Sequence, residues 1–417
     1  MVTLKNKRGA SMLVYAIIGI IIAVVFFTFA ANLIGDFLSE LPTVRGSVAD
    51  PSKLVCFGGG KDNSTHCLDK LTGTPIFTFE KAKKWKGGAD SAPKLTKEGL
   101  YFAIGNHICA YDSTGSIWGG CQQTSGAVTS DIEAGYGLVC FGTANNEYNC
   151  LDQKDGSLVL TIKADWKVCL DGRPCKTTTK PIVTENYIYT GLGSQVCKYD
   201  KFSAGVLDTT PGVWETCAGF THDVSNIELK NDLVCFGTGN NKRIACINDT
   251  TRDYTYLSFR LGDGFAGLKP HLDGNLLYLA LDAKLYKWDL LQEKELDLVD
   301  FGSGGINTDL VANNEVVCFG SGYNNIGAVW CSTKDELATG FFISPRLNPD
   351  ETDATSTQAI DNGILYFGLG DNVCAYDIAL AKSKSNHQVG KSTAEKWCAD
   401  FDHQINSGIA VLEKENV

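Results

Sequence analysis

One short β-rich run appears eight times in this chain of 417 residues, about every 44 positions, and that recurrence restricts the fold more than any other feature. The copies read LVCFG (54–58), LYFA (100–103), LVCFG (138–142), YIYTG (187–191), LVCFG (233–237), LLYLA (276–280), VVCFG (316–320) and ILYFG (364–368). Each closes on a small residue (Gly58, Ala103, Gly142, Gly191, Gly237, Ala280, Gly320, Gly368), which implies a neighbouring element close to the backbone at that place. A turn and a second strand follow, ending in Asp or a relative: Asp69, Asp112, Asp152, Asp200, Asn248, Asp289, Thr333 and Asp377. An Asp there can accept backbone N–H bonds in an Asx-type turn. A third strand comes after it, and a further short strand precedes each run. Four antiparallel strands repeated eight times describe an all-β, eight-bladed β-propeller over residues 53–417.

The ring is expected to close on its own C-terminus. Leading strands of three odd blades begin Ser130-Asp131-Ile132, Ser225-Asn226-Ile227 and Thr308-Asp309-Leu310, but nothing comparable precedes Leu54. Ser407-Gly408-Ile409 supplies the missing strand, so the chain end completes blade 1 and leaves no open sheet edge.

Cysteine placement follows the same register. Odd blades put Cys at the third position of the run (Cys56, Cys140, Cys235, Cys318), where even blades put Tyr (Tyr101, Tyr189, Tyr278, Tyr366). Pairing across the next hairpin gives Cys56–Cys67, Cys140–Cys150, Cys235–Cys246 and Cys318–Cys331. Even blades hold Cys three residues before the Asp, with a partner on the following strand: Cys109–Cys121, Cys197–Cys217 and Cys374–Cys398. Because side chains alternate faces along a strand, the two sets point opposite ways. In blade 6 Tyr286 replaces the Cys and the partner is missing too. Cys169 and Cys175, in an insertion, then pair with each other, and all 16 cysteines are used. Such a set belongs in an oxidising compartment.

The N-terminus is of another kind. After Lys5, Lys7 and Arg8, no charged residue occurs from Ala10 to Gly35, and the 22-residue core Leu13 to Ile34 would make a helix about 33 Å long, enough to cross a bilayer. The basic leader places residues 1–8 in the cytoplasm and the body outside. The expected organisation is a charged leader (1–9), a long apolar α-helix in a membrane or filament core (10–41), a linker (42–52) and the propeller (53–417).

Lys7-Arg8-Gly9-Ala10-Ser11 ahead of that run resembles the class III signal of type IV pilins and archaeal flagellin-like proteins. The resemblance implies cleavage between Gly9 and Ala10 and packing of the freed helix into a filament. Where bacterial pilins carry Glu at the fifth mature position, this chain has Val14. A plain uncleaved anchor is the other reading. In the body, Ala110-Tyr111-Asp112-Ser113-Thr114-Gly115-Ser116-Ile117-Trp118, and in part Leu68-Asp69-Lys70-Leu71-Thr72-Gly73, resemble the quinoprotein-type propeller repeat. Some members of that superfamily are quinone-dependent dehydrogenases; others are scaffold lipoproteins without catalysis. The dehydrogenases set two adjacent cysteines against the cofactor, and this chain has no Cys-Cys dipeptide.

A net charge of −11, with residues 1–50 contributing +1, makes an acidic body that repels phosphate backbones, so no nucleic-acid partner is expected. The 44% hydrophobic content excludes disorder. The six histidines show no metal-ligand spacing, no catalytic constellation stands out, and no cofactor is expected. Asp131, Asn226 and Asp309 could ring the channel mouth and offer oxygens to Ca²⁺, or simply begin strands as solvated turns. Trp118, Trp214 and Trp397 read as inter-blade packing, with an aromatic ligand platform as the alternative. Asn63-Ser64-Thr65 and Asn248-Asp249-Thr250 are glycosylation sequons. Residues 379–396 read as a variable surface loop. These features describe a cell-surface, pilin-like protein displaying a propeller for filament formation or adhesion to a glycan or protein, held by lipid or by self-assembly. A membrane-anchored scaffold for envelope proteins is the alternative, and an enzyme using the propeller mouth a third.

Overall fold

The computed structural model describes residues 41–412 apart from 60–62, 83–84, 86, 164–176, 178, 194, 202–217, 220–223, 239–242, 251–253, 258–267, 282, 303–304, 322–327, 344–355, 384–387, 390–393, 402–404 and 406. The Gly9–Ala10 junction, the apolar run, Trp214 and the cysteines Cys169, Cys175 and Cys217 lie outside the described residues. Among the described residues no helix is long and apolar enough to cross a membrane.

Eight antiparallel sheets follow one another along the chain, each built mainly of four strands. Blade 3 shows the pattern: Glu133–Gly135 is innermost, then Leu138–Thr143, Glu147–Asp152 and Leu158–Lys163 outward. The run identified in the sequence is the second strand of every blade. The C-terminal strand Ala410–Val411 pairs with Leu54–Gly58, placing Val411 opposite Val55, and closes blade 1. Ser407 strengthens that seam: its Oγ accepts from the Gly58 N–H at 2.5 Å. Ser130, Ser225 and Thr308 do the same for Gly142, Gly237 and Gly320, each at 2.7 Å.

The small residue ending each run has a steric cause. A Cβ on Gly58 would come within 2.0 Å of the Ala89 carbonyl oxygen, and one on Gly142 within 2.1 Å of the Thr177 oxygen. Both carbonyls belong to the stretch entering the next blade, so a side chain at either position would push neighbouring blades apart. The Asx turns also form: Asp69, Asp112, Asp152, Asn248 and Asp289 each accept the N–H two residues on, at 2.7–2.9 Å.

Two segments depart from the expected organisation. Within the stretch read as a linker, Thr43–Gly46 forms a strand that pairs with the outer strand Pro75–Glu80 and so covers the rim of blade 1; Val48 just beyond is 1% exposed. The stretch 379–396, read as variable surface, contains most of a short helix, Ile378–Lys382, and a strand, Gln388–Val389, that adds in parallel to Gly340–Ile343 of blade 7. An added strand satisfies the unpaired N–H and C=O groups that an outer edge presents.

The core consists of the faces between blades, and these alternate in kind. Between blades 1 and 2, Cys56 and Cys67 pack with Cys109, Phe102 and Phe79; the 3/4, 5/6 and 7/8 faces likewise carry cysteines. Between blades 2 and 3, Tyr101 packs with Phe141 and Trp118; the 4/5, 6/7 and 8/1 faces pair Tyr189 with Phe236, Tyr278 with Phe319, and Tyr366 with Phe57. The period of two along a strand explains this. The residue two before the closing Gly or Ala of each run points toward the next blade, and the one after it toward the previous blade. In odd blades these are Cys and Phe; in even blades the first of them is Tyr.

Candidate functional site

Six disulfides form among the described residues: Cys56–Cys67, Cys109–Cys121, Cys140–Cys150, Cys235–Cys246, Cys318–Cys331 and Cys374–Cys398. Five join residues directly opposite each other in the strand ladder, with Cα atoms 4.1 Å apart. Each clips a blade to itself. Cys197 is also disulfide-bonded, and none of the described cysteines is free. In blade 6, Tyr286 takes the position of the even-blade Cys, fully buried, and stands opposite Leu298 where the partner Cys would be. The Tyr286 ring is buried at the place of the even-blade Cys, while Leu298 opposite it is 38% exposed. This set of bridges places the propeller in an oxidising environment.

The inner strands line the axis of the ring, where a propeller most often binds its ligand. On these strands or just ahead of them, charges alternate in sign from blade 2 to blade 7: Lys94, Glu133 and Glu228 in the strands, and Lys180, Lys269 and Asp309 two residues before theirs. Glu133 holds Lys94 at 3.2 Å and Lys180 at 2.8 Å, and Glu228 holds Lys269 at 2.8 Å. His271 lies 3.7 Å from Glu228, yet burial outweighs that carboxylate and pushes the imidazole down to about 4. Blades 8 and 1 carry Ala359 and Ala410 instead, both buried.

Asp131, Asn226 and Asp309 sit at this axis, where each accepts from a backbone amide and none is a solvated turn. Asp131 Oδ1 accepts from the Ala92 N–H at 2.7 Å; Asn226 Oδ1 accepts from the Lys180 N–H and Asp309 Oδ1 from the Lys269 N–H, each at 2.8 Å. These three bonds each tie an odd blade to the even blade before it. Asn226 Nδ2 in turn donates to Asp309 Oδ2 at 2.7 Å. Burial pushes the Asp131 carboxyl above its ordinary value. Among the described residues no three metal-ligating side chains come together. Both oxygens of Asp309 and one oxygen of Asp131 thus accept from amide donors.

Trp118 and Trp397 act in packing. Trp118 Nε1–H donates to the Gln153 carbonyl at 3.1 Å and Trp397 Nε1–H to the Lys70 carbonyl at 2.9 Å, each reaching the next blade. Their rings cover Gly156 (φ +73°) and Gly73 (φ +71°), where a Cβ would come within 2.7 and 2.6 Å of the indole. Ser64 Oγ lies 2.5 Å from His66 Nε2, with Thr78 Oγ1 3.3 Å from Nδ1. Ser64 is 2% exposed and the His66 ring stacks on Phe57, so this hydroxyl–imidazole pair is part of the packing. Asn63 occupies a positive-φ turn (58°) and Asn248 accepts from the Thr250 N–H, so both sequons lie at hairpin ends.

The inter-blade ion pairs Lys70–Asp361, Lys198–Asp249 and Lys334–Asp273, at 2.7, 2.8 and 2.6 Å, were not anticipated from the sequence. All three fall on tyrosine-bearing faces, and Tyr189 OH also donates to Asp249 at 2.8 Å. Their one signal was position: Lys70, Asp249 and Lys334 each follow the turn residue of an odd blade.

The fold and axis together define an eight-bladed, disulfide-stapled β-propeller closed by its own C-terminal strand. Solved structures with a similar fold include the dihydro-heme d1 dehydrogenase NirN in complex with DHE, with a TM-score of 0.62, 13% identity, and 88% of this chain and 79% of that chain covered. BamB from Moraxella catarrhalis gives 0.55, 14%, 76% and 88%, and a europium-containing methanol dehydrogenase 0.53, 13%, 76% and 79%. At such identities the likeness is one of fold. No family model matches the chain, and no curated protein sequence does.

Proposed function

We propose that this protein displays its propeller on the outer side of a membrane, as a recognition and assembly module held by the apolar run of residues 13–34. The observation that carries the reading is the seating of Thr43–Gly46 on the rim of blade 1. The segment that follows the apolar run is fixed to an outer edge, while the ring closes through Ala410–Val411. Thr43–Gly46 is therefore not part of the ring's closure. The disulfides suit an extracellular setting, and the self-compensated charges at the axis favour a binding surface on the blades over chemistry in the channel.

Within this reading the finer assignment is a pilin-like protein, cut between Gly9 and Ala10, whose helix enters a filament and whose propeller adheres to a glycan or protein. The Lys7-Arg8-Gly9-Ala10 junction supports it. A membrane-anchored scaffold for envelope proteins is the second reading, supported by Val14 in place of the pilin glutamate. Intact mass of protein isolated from its native membrane decides between them. A chain beginning at Ala10, with filaments in electron micrographs, supports the pilin form. A retained Met1 without filaments supports the anchored scaffold. Release of the protein by alkaline carbonate would overturn both.

A further inference from the structure

The outer strands of four blades share one irregularity. In blades 1, 3, 6 and 8 a residue near the start of the outer strand is the extra member of a β-bulge: Ile76, Val159, Leu296 and Lys396. Beyond the bulge, four residues pair regularly with the third strand. In blade 1 this stretch, Phe77–Glu80, is the one that accepts Thr43–Gly46. Blade 1 therefore shows what such an edge asks of a partner. Thr43 stands opposite Glu80 and Gly46 opposite Phe77. Arg45 sets its guanidinium 3.3 Å from the Glu80 carboxylate. Gly46, at φ +80°, lies against the bulge, and a Cβ there would come within 1.8 Å of the Ile76 carbonyl oxygen. All four added residues are exposed, so the strand is held through its backbone and selected by one basic residue and one glycine.

Blade 6 repeats that edge without an added strand. Lys294–Asp300 is the longest outer strand among the described residues, and none of these residues pairs with its outer side. Asp297–Asp300 takes the place of Phe77–Glu80, with Asp300 where Glu80 stands. Leu296 and Leu298 are 44% and 38% exposed. The other two edges differ in charge: blade 3 has Lys163 at the place of Glu80, and blade 8 has a lysine, Lys396, at the bulge.

We infer that Asp297–Asp300 is a docking edge for an extended segment of a partner protein, which adds to blade 6 as Thr43–Gly46 adds to blade 1. The segment carries a basic residue to meet Asp300 and, next to it, a glycine to pass the Leu296 bulge. Leu296 and Leu298 offer contact to its apolar side chains. Glu295, Asp297 and Asp300, against Lys294 alone, disfavour pairing of this strand with its own copy. A basic partner strand is the occupant that complements them. The inference rests on the recognition reading above and not on the anchor.

The chain's own segment Leu41–Val48 supplies a probe, as a capped synthetic peptide added in excess to the full-length protein. Hydrogen exchange is expected to slow several-fold over 294–300 and to stay unchanged over 158–163, where Lys163 repels the arginine. The slowing is expected to be lost with the Arg45→Glu or the Gly46→Val form of the probe. It is expected to weaken several-fold in the Asp300→Asn protein, which keeps an acceptor for the Gly302 N–H, and in about 0.5 M salt. Non-reduced mass confirms that the variant retains its disulfides. Slowing confined to 75–80, where the probe displaces the chain's own strand, overturns the docking edge. So does no slowing over 294–300, or equal slowing with the Gly46→Val form. Each of these failures leaves the anchored reading, which intact mass tests, standing.

Discussion

The 3/4 face and the 8/1 face bury comparable numbers of large side chains but resist separation by different means. At 3/4, Cys140 and Cys150 are clipped within blade 3 and lie against Ile188 and Cys197 of blade 4. At 8/1, Tyr366 meets Phe57, Trp397 covers Gly73, Lys70 pairs with Asp361 and Ser407 caps Gly58. A bridge internal to a blade limits what the unfolded chain can explore, whereas the bonds at 8/1 join the two ends of the chain and hold only while the ring is closed. The lesson is one of means: bridges internal to single blades stiffen the disulfide faces, while Lys–Asp pairs cross three of the four tyrosine faces. The ring thus alternates two kinds of face, four of each.

The largest effect that would break this comparison is reduction. With roughly 2–3 kcal/mol per bridge, loss of the six described disulfides is expected to lower the melting temperature by more than about 10 °C, measured by calorimetry with and without reductant. An unchanged transition would show that the sulfur faces owe their strength to packing alone. Next comes Trp397→Ala, which removes a buried ring and the bond to Lys70 at the closing seam. A cost of about 3–5 kcal/mol is expected from denaturant unfolding, with every disulfide still intact.

Acid sharpens the comparison at the axis, where His271 lies between Glu228 of blade 5 and Tyr278 of its own blade. His271 has a native pKa of about 4, below its ordinary 6.5, so the folded state requires the neutral ring. The resulting stability is complete above pH 6.5 and is lost as pH falls toward 4, by about 3 kcal/mol. The charges of Glu228, Lys269, Lys230 and Lys334 act on the ring. His271→Asn is expected to flatten that part of the stability profile. The smallest effect is Gly156→Ala, where a positive φ and the Trp118 ring both oppose a Cβ. About 1–3 kcal/mol is expected, and Gly137→Ala, with a positive φ in open space, serves as the steric control.

Much of this is legible in the sequence, because the repeat register converts spacing into geometry. The eight runs locate the second strands, the paired absence in blade 6 matches Tyr286 with its missing partner, and Ser407 points to the closing strand. What stays hidden has a common cause: it depends on which blades touch. Lys70 and Asp361 lie 291 residues apart and meet only when the ring closes. The oxygens of Asp131, Asn226 and Asp309 resemble cation ligands in a sequence; only the fold shows backbone amides of the preceding blade in front of them. Thr43–Gly46 is hidden for a related reason, since four residues with no apolar alternation form a strand only because Pro75–Glu80 offers an open edge.

Peptide mapping of unreduced protein tests most directly that each bridge clips a single blade to itself. The account predicts only blade-local links: the six bridges seen in the structure, together with Cys197–Cys217 and Cys169–Cys175. Free thiols, or a link joining cysteines of two different blades, would contradict it.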